Sequence, residues 1–286
     1  MTDHPAGLAA RVHLLLTSMR YAAAVRATRD QDCTPLERLR ARTSKSVFTI
    51  VGPGATINDL GHAERAVMAA GVTAAVNMAA LASMDFDLCS LEAMTNRADH
   101  HAYRVSLLAK SRLPLLWFQD RARHASPFVD ELDQEFGLYR YRRASVSIER
   151  DLGTFRFILN RFMLPRVLER PNLRVSFALT GSIARLTLLA LSLGYRDIRF
   201  AGVDLGSTAY FWLERPQEMV ASELSAEYQR MSPGALRMGG GGSVPNLFEF
   251  LQALLDEVPG LQFQTFDPRG RSRLTPFLYQ QSRYKQ

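Results

Sequence analysis

The chain has 286 residues, of which 47% are hydrophobic and 22% are charged. This apolar content is enough for one large domain or two small ones, which excludes a disulfide-stapled miniprotein and a mainly disordered chain. Lys and Arg number 35 against 28 acidic residues, for a formal net charge of +7. The excess indicates an anionic partner. Because the basic residues are spread along the chain, nucleic acid is not expected as the main ligand.

Cysteine usage and hydropathy restrict the compartment. Cys33 and Cys89 are far apart in the sequence and neither belongs to a CxxC pair. This pattern supports neither a disulfide framework nor a zinc ribbon, and a reducing cytoplasm fits it best. No uncharged apolar run reaches the roughly 18 residues that a membrane-spanning helix needs. A signal peptide is not expected, because Asp3 precedes the first apolar patch and Arg residues interrupt it.

The N-terminal region predicts an amphipathic helix. Residues 8–28 repeat apolar side chains at helical spacing, with Arg on the remaining face. Two interpretations stay open, a helix docked on the body of the protein and a helix lying on a membrane surface. An Arg-rich connector follows at 30–46. We therefore expect residues 1–45 to form a helical extension of a main domain that comprises residues 46–286.

The main domain alternates strand and helix patterns. The β-branched run Val47–Val51 ends in Gly52-Pro53-Gly54, which is typical of a buried parallel strand followed by a turn. The other predicted elements are a helix at 57–70, strands at 71–77 and 85–89, a strand at 174–177, a helix at 183–193 capped by Gly194, a strand at 197–204, a helix from 244 or 245 to 257 and a strand at 261–266. This order predicts an α/β, Rossmann-like domain whose mostly parallel sheet has helices on both faces.

Two segments lack this regular alternation. Residues 206–243 have no clean periodicity and end in the glycine run Gly239–Gly242. Loops of this length are usually functional or disordered, and we predict a lid over a site. The tail at 277–286 is aromatic and basic.

Two strand-to-helix turns combine glycine with hydroxyl side chains. Glycine lets a phosphate approach the backbone, and the start of a helix offers unpaired N–H groups and a positive dipole end. Taken alone, each turn is explained equally well without a phosphate, the first as a tight turn and the second as an ordinary N-cap. Together they predict a nucleotide in the crevice between them. The residues concerned are Gly52, Pro53, Gly54, Ala55 and Thr56 in the first turn, and Thr180, Gly181 and Ser182 in the second.

Polar residues also follow two other predicted strands. Asn77 is placed to hydrogen-bond a sugar or phosphate, although an Asx turn accounts for it equally well. Asp204 ends the run Gly202-Val203-Asp204, where the acid would stand at the carboxyl edge of the sheet. It could accept from a ribose hydroxyl, bind a metal, act as base or nucleophile, or simply cap the turn.

The histidines exclude several mechanisms. The chain has six, and none follows His124. A mechanism that needs an imidazole from the C-terminal half is therefore excluded, and no GxSxG motif is present for Ser-His-Asp catalysis. His100 and His101 stand beside Asp99, but adjacent helical residues point in different directions. We predict a solvated helix face there and no metal site.

Four stretches give the chain a remote resemblance to the bacterial lipooligosaccharide sialyltransferases that use CMP-sugars. Residues 47–60, VFTIVGPGATINDL, resemble that family's opening strand and Gly-Asn-Gly-Pro-Ser-Leu turn. Asn77 falls where the family has an Asn near the donor phosphate. Residues 179–205 are similar to its Thr-Ser-Gly turn, Ala-Leu-Gly-Tyr helix end and Gly-Ile-Asp strand end. Residues 246–266 resemble its Leu-Glu-Phe-Leu helix and the strand that follows.

The resemblance implies a function and a site. It implies transfer of an acidic sugar, of the sialic acid or Kdo type, from a CMP-sugar to a cell-surface glycan or glycolipid, in bacterial lipopolysaccharide biosynthesis. The two glycine turns would hold the cytidine nucleotide, Tyr210 would contact the donor phosphate, and neither metal nor cofactor would be needed. A glycolipid acceptor would suit a basic, aromatic tail on an anionic membrane surface, that is, a cytoplasmic protein held peripherally on the inner membrane. The oligomeric state stays open.

The departures from the family leave alternatives. The family's general-base His precedes its Leu-Glu-Phe-Leu helix, and here that stretch is the glycine run near Gly239. Asp204 could replace it, as base or as the nucleophile of a retaining reaction. The acceptor or the sugar could differ, for example Kdo, or the protein could be a non-catalytic nucleotide-binding scaffold. Pro53 stands where the family has the Asn of the first turn. A second resemblance is to the 6-hydroxymethylpterin pyrophosphokinase-like proteins of flagellin glycosylation, which usually carry an acid where this chain has Asn77-Met78.

Overall fold

The computed structural model describes residues 7–40, 47–91, 97–120, 127–146, 151–179, 181–205, 210–215, 217, 219 and 246–283. Its centre is one sheet of eight strands. The strands are β1 (Val47–Val51), β2 (Val72–Val76), β3 (Leu88–Leu91), β4 (Leu115–Asp120), β5 (Leu138–Ser145), β6 (Val175–Ala178), β7 (Asp197–Ala201) and β8 (Gln262–Phe266).

The sheet is parallel throughout and has the order β6-β5-β4-β3-β2-β1-β7-β8. The chain adds β2 to β6 on one side of β1 and then returns to add β7 and β8 on the other. The direction of winding therefore switches between β1 and β7. In open α/β sheets this switch point opens a crevice at the carboxyl ends of the strands.

Helices lie on both faces of the sheet and enclose two hydrophobic cores. Alternate strand residues point to opposite faces, so Ile50 belongs to one core and Val51 to the other. This arrangement confirms the predicted α/β, Rossmann-like class. The helices are α1 (Leu8–Ala27), α2 (Thr34–Arg40), α3 (His62–Ala70), α4 (Arg97–Leu108), α5 (Pro127–Phe136), α6 (Leu152–Ile158), α7 (Gly181–Ser192), α8 (Phe211–Glu214), α9 (Leu247–Glu257) and α10 (Leu274–Arg283).

Several elements differ from the sequence-based predictions. The helix expected at 57–70 is two pieces, a 3₁₀ helix at Ala55–Asp59 and α3, because the backbone N–H of Gly61 donates to Glu64 and starts a new helix. The third strand lies at Leu88–Leu91, later than the predicted 85–89. Between β3 and β6, the sequence predicts a helix around His100 and His101, whereas β4, β5, α5 and α6 are not expected from it. In β5, buried Tyr139 and Tyr141 alternate with Arg140 and Arg142, which is the period-two pattern of a strand, and the sequence-based prediction overlooked it.

Helix α1 packs on the part of the sheet formed by β5 and β6. Tyr21 stacks on Phe177 with ring centroids 5.2 Å apart, and Ala10, Thr17 and Ala24 are buried on the same side of the helix. The helix is therefore docked, but not through the apolar positions that the sequence pattern indicated, because Leu8, Leu15 and Met19 are exposed. Among the described residues, no helix has both the length and the apolar character needed to cross a membrane.

The ends of β1 and β7 are packed backbone against backbone. Gly202 has a φ of +62°, which an L side chain rarely adopts, and a Cβ there would overlap the carbonyl oxygen of Gly52 and the side chain of Ile57. A Cβ on Gly52 would in turn lie 2.5 Å from the carbonyl oxygen of Gly202. The N–H of Gly54 donates to that same oxygen at 2.8 Å. Both glycines are thus required by the close approach of the two turns.

We expect Gly202→Ala to lower the free energy of unfolding by about 2–5 kcal/mol, because a left-handed backbone strain adds to steric overlap. Gly260→Ala is the matched control, since Gly260 has a φ of +72° but open space around its Cβ position. The control should lose only about 1–2 kcal/mol, from backbone strain alone. Urea unfolding followed by circular dichroism measures both. Equal losses in the two variants would contradict the packing argument.

Candidate functional site

The candidate site lies at the switch point, where the first glycine turn meets the end of β7. Asp204 stands three residues after β7 and is 4% exposed. Its carboxylate accepts hydrogen bonds from both the backbone N–H of Thr56, at 3.2 Å, and the Thr56 hydroxyl. Gly54 lies so close that a Cβ on it would be 2.5 Å from the carboxyl carbon of Asp204. The turn is therefore shaped around this acid.

This geometry changes what the first turn can offer a ligand. The sequence predicts a helix start that binds a phosphate here, but the element is a five-residue 3₁₀ helix, and the N–H of Thr56 in its first turn already donates to Asp204. The chain thus supplies its own anion at this position. A phosphate that used the Thr56 N–H would have to displace the carboxylate.

The electrostatic surroundings of Asp204 are mixed. Burial raises the pKa of its carboxyl, while the two hydrogen bonds from Thr56 and the charge of Arg271 lower it, and the negative charge of Asp267 raises it again. Burial outweighs the donors, so the pKa of Asp204 is above its ordinary value. A carboxyl with a raised pKa is better suited to taking a proton near neutral pH than an ordinary aspartate.

Arginines surround the outer side of this site. Arg271 contacts Asp59 at 2.9 Å and Glu214 at 3.1 Å, and Arg269 contacts Asp59 at 3.3 Å. The side chain of Asp59 is only 2% exposed, so two guanidinium groups compensate its charge. Arg215 donates to the carbonyl of Asn58 at 2.9 Å. None of these arginines was singled out from the sequence, because the residues that they contact are distant in the chain.

The described start of the predicted lid is fixed to the first turn. Tyr210 forms a β-bridge with Gly54, and the N–H of Phe211 donates to the carbonyl of Pro53 at 3.1 Å. The Tyr210 ring stacks on Trp212 with centroids 4.6 Å apart, and burial raises the pKa of Tyr210. Tyr210 therefore lies beside the switch point. Apart from 210–215, 217 and 219, the predicted lid at 206–243 lies outside the described residues.

The second glycine turn is at the start of α7. Thr180 lies outside the described residues, and Gly181 has a φ of +71°. Ser182 is buried, and its hydroxyl oxygen accepts a hydrogen bond from Arg185 at 2.9 Å. Arg185 is 2% exposed, and sequence analysis missed it because one Arg in an apolar helix carries no pattern. Four strands separate β6 from β1. α7 also contacts β1 and β2, because it crosses one face of the sheet from the carboxyl end of β6 to the start of β7, so its first residues stay on the β6 side.

Asn77 follows β2 directly and has a φ of +47°, a left-handed conformation that Asn adopts more readily than most residues. It begins a 3₁₀ helix at Asn77–Leu81. β2 is the neighbour of β1, so Asn77 shares the carboxyl edge with the first glycine turn. Leu205, the residue after Asp204, also has a φ of +47°. The chain thus turns sharply at two non-glycine residues on this edge.

A surface groove lies away from the switch point. An open groove of about 800 Å³ between α4 and α5 is lined by Arg97, His101, Arg104, Glu131 and neighbouring residues. The prediction of a solvated face is right for exposed His101 and wrong for His100, which is 8% exposed because Phe128 of α5 packs against its ring. No set of three His, Cys, Asp or Glu side chains within the described part of the chain is grouped to hold a metal ion.

No family model matches the chain, and no curated protein matches it. Among solved structures, it is similar to the sialyltransferase CstII from Campylobacter jejuni in complex with a substrate analogue, CMP-3FNeuAc. That likeness covers 81% of this chain and 84% of the other, at 12% sequence identity and a TM-score of 0.45. It is a remote likeness of fold.

Asp204→Asn tests the environment of the buried acid. Because the folded state raises the pKa of Asp204, it holds this proton more tightly than the unfolded chain does. Ionisation therefore costs stability, and the cost develops as the pH rises from the ordinary pKa through the higher pKa of the folded state. We expect the unfolding free energy of the wild type, relative to Asp204→Asn, to fall across this window and to be constant above it.

Urea unfolding at a series of pH values measures this difference. Thr56→Val should extend the window to higher pH, because it removes a hydrogen bond that lowers the pKa of Asp204. A difference that rises with pH, or that does not depend on it, would contradict the raised pKa.

Proposed function

We propose that this protein is a glycosyltransferase that transfers an acidic sugar of the sialic acid or Kdo type from a CMP-sugar to a surface glycan or glycolipid. One observation carries the reaction type: Asp204 is a buried carboxylate with a raised pKa at the switch point of an all-parallel sheet. The donor class comes from the resemblance of the two glycine turns, the Gly-Val-Asp strand end and the Asn246–Phe266 stretch to the CMP-sugar sialyltransferases.

In this proposal Asp204 is the general base. It takes the proton of the acceptor hydroxyl as the acceptor oxygen bonds to the anomeric carbon of the sugar. The bond from that carbon to the phosphate oxygen breaks, and CMP leaves with the electron pair. Thr56 keeps the carboxylate oriented through its two hydrogen bonds, which leaves further lone pairs of Asp204 for the acceptor. The family's His is thereby replaced by a carboxylate.

The departing phosphate needs positive charge and hydrogen-bond donors, because negative charge develops on it in the transition state. The resemblance gives this role to the start of α7, with Gly181 and Ser182, beside which lies the buried guanidinium of Arg185. This turn follows β6, six strand positions from β7 and Asp204, so the structure does not bring it next to the proposed base. Thr180 belongs to the same turn by sequence. Asn77 and Tyr210 would contact the nucleotide from the neighbouring strand end and from the lid, while Gly52, Pro53, Gly54, Ala55 and Gly202 would line the crevice through their backbone.

Thermal shift with nucleotides is the first test. A ligand that binds only the folded state raises its melting temperature. We expect CMP and CDP to stabilise the protein in the presence of a chelator, and uridine, guanosine and adenosine nucleotides to have little effect. Selective stabilisation by ATP with Mg²⁺ would instead favour the pyrophosphokinase alternative. No shift with any nucleotide would contradict the proposal.

Variants separate binding from catalysis. Asp204→Asn should retain CMP binding but lose at least about 100-fold in donor hydrolysis or transfer, the usual contribution of a general base. Ser182→Ala should weaken CMP binding and retain the pH profile of the reaction. Asp130→Asn, at an exposed carboxylate on α5, is the control and should behave as wild type. CMP binding without hydrolysis or transfer by the wild type would identify a non-catalytic nucleotide-binding protein.

A further inference from the structure

Helix α1 has two apolar faces, and the sheet buries only one of them. Its inner face carries Ala10, Thr17 and Ala24, which are buried against the body. The opposite face exposes five large apolar side chains to solvent, which is an unusually large exposed apolar surface for a single helix. They are Leu8 at 80% exposed, Leu15 and Met19 at 60%, Val12 at 46% and Leu16 at 37%. We call these five residues the outer stripe.

The outer stripe is continuous and held in place. Leu8, Val12, Leu15 and Met19 are spaced four, three and four residues apart, so their side chains lie in one row along the helix. Contacts of Tyr21 with Phe162 and Phe177 anchor the inner face. The stripe is thus presented on a helix that is already folded and docked, so a partner need not supply the free energy to order it.

Charge indicates what covers the stripe. No acidic residue occurs between His4 and Arg29, whereas Arg11, Arg20 and Arg26 lie exposed on α1. On the helix, Arg11 and Arg20 flank the two sides of the stripe. An apolar row between guanidinium groups matches a bilayer surface, where acyl chains accept the apolar side chains and anionic headgroups accept the arginines. A second copy of the chain would instead bring the same arginines together without acids to pair them.

We propose that the outer stripe of α1 binds an anionic lipid bilayer, with the helix lying parallel to the surface. Leu8, Leu15 and Met19 insert among the acyl chains, and Arg11 and Arg20 contact headgroup phosphates. The inner face stays packed on β5 and β6, so the whole domain is held at the membrane. The outer stripe points away from the sheet and contains none of the residues assigned to the nucleotide site, so the inference does not depend on the proposed function.

Vesicle flotation of the full-length protein tests this proposal. We expect binding to vesicles of phosphatidylcholine with about one-third phosphatidylglycerol, and weak binding to phosphatidylcholine alone. Leu15→Gln/Met19→Gln should lower the partition coefficient about tenfold, because it removes two inserted apolar side chains. Arg11→Gln/Arg20→Gln should reduce the preference for anionic vesicles about tenfold. Leu108→Gln, at an equally exposed leucine on α4, is the matched control and should bind as wild type.

Several outcomes would overturn the proposal. One is equal binding of wild type and Leu15→Gln/Met19→Gln, and another is equal loss in the Leu108→Gln control. A third is concentration-dependent dimerisation in sedimentation experiments that the stripe variant abolishes, which would show that a second copy covers the stripe. Circular dichroism and the melting temperature should be unchanged in all variants, since the replaced side chains are exposed.

Discussion

The fold and the candidate site both depend on the contact between the end of β1 and the end of β7. At this point the backbones of Gly52 and Gly202 are in contact, and the Asp204 carboxylate accepts hydrogen bonds from the N–H and the hydroxyl of Thr56. Side chains on either glycine would separate the two turns. The same contact joins the first strand to the strand added after the reversal of winding. It therefore fixes the geometry of the switch point while it orients the acid that lies there.

The site is built from electrostatic compensation as much as from shape. A buried carboxylate is stable only when donors or cations compensate its charge. Thr56 and Arg271 do this for Asp204, while Arg269 and Arg271 do it for Asp59. Arg271 thus interacts with both acids and couples the end of β8 to the first turn. The charge of Asp204 is only partly compensated, so its pKa stays raised, and a raised pKa is what proton transfer at the proposed site requires.

Helix α1 illustrates why average amphipathicity can mislead. When both sides of a helix carry apolar residues, the pattern indicates a helix but does not say which side faces the protein. Packing of Tyr21 on Phe162 and Phe177 selects one side. The outer stripe is the apolar side that this packing leaves exposed. The two interpretations left open by the sequence, docking and a membrane surface, therefore apply to different faces of the same helix.

The sequence by itself determined the α/β class, the strands around the glycine turns, the Gly194 cap and the position of Asp204 after a strand. These features are local, because strand alternation, turn glycines and caps depend on residues close together in the chain. Only the tertiary structure decided that the glycines of the first turn are needed for contact with Gly202, and that Asp204 fills the position expected for a phosphate. It also revealed Arg271 and Arg185. These interactions join residues such as Thr56 and Asp204, 148 positions apart, and strand order alone brings them together.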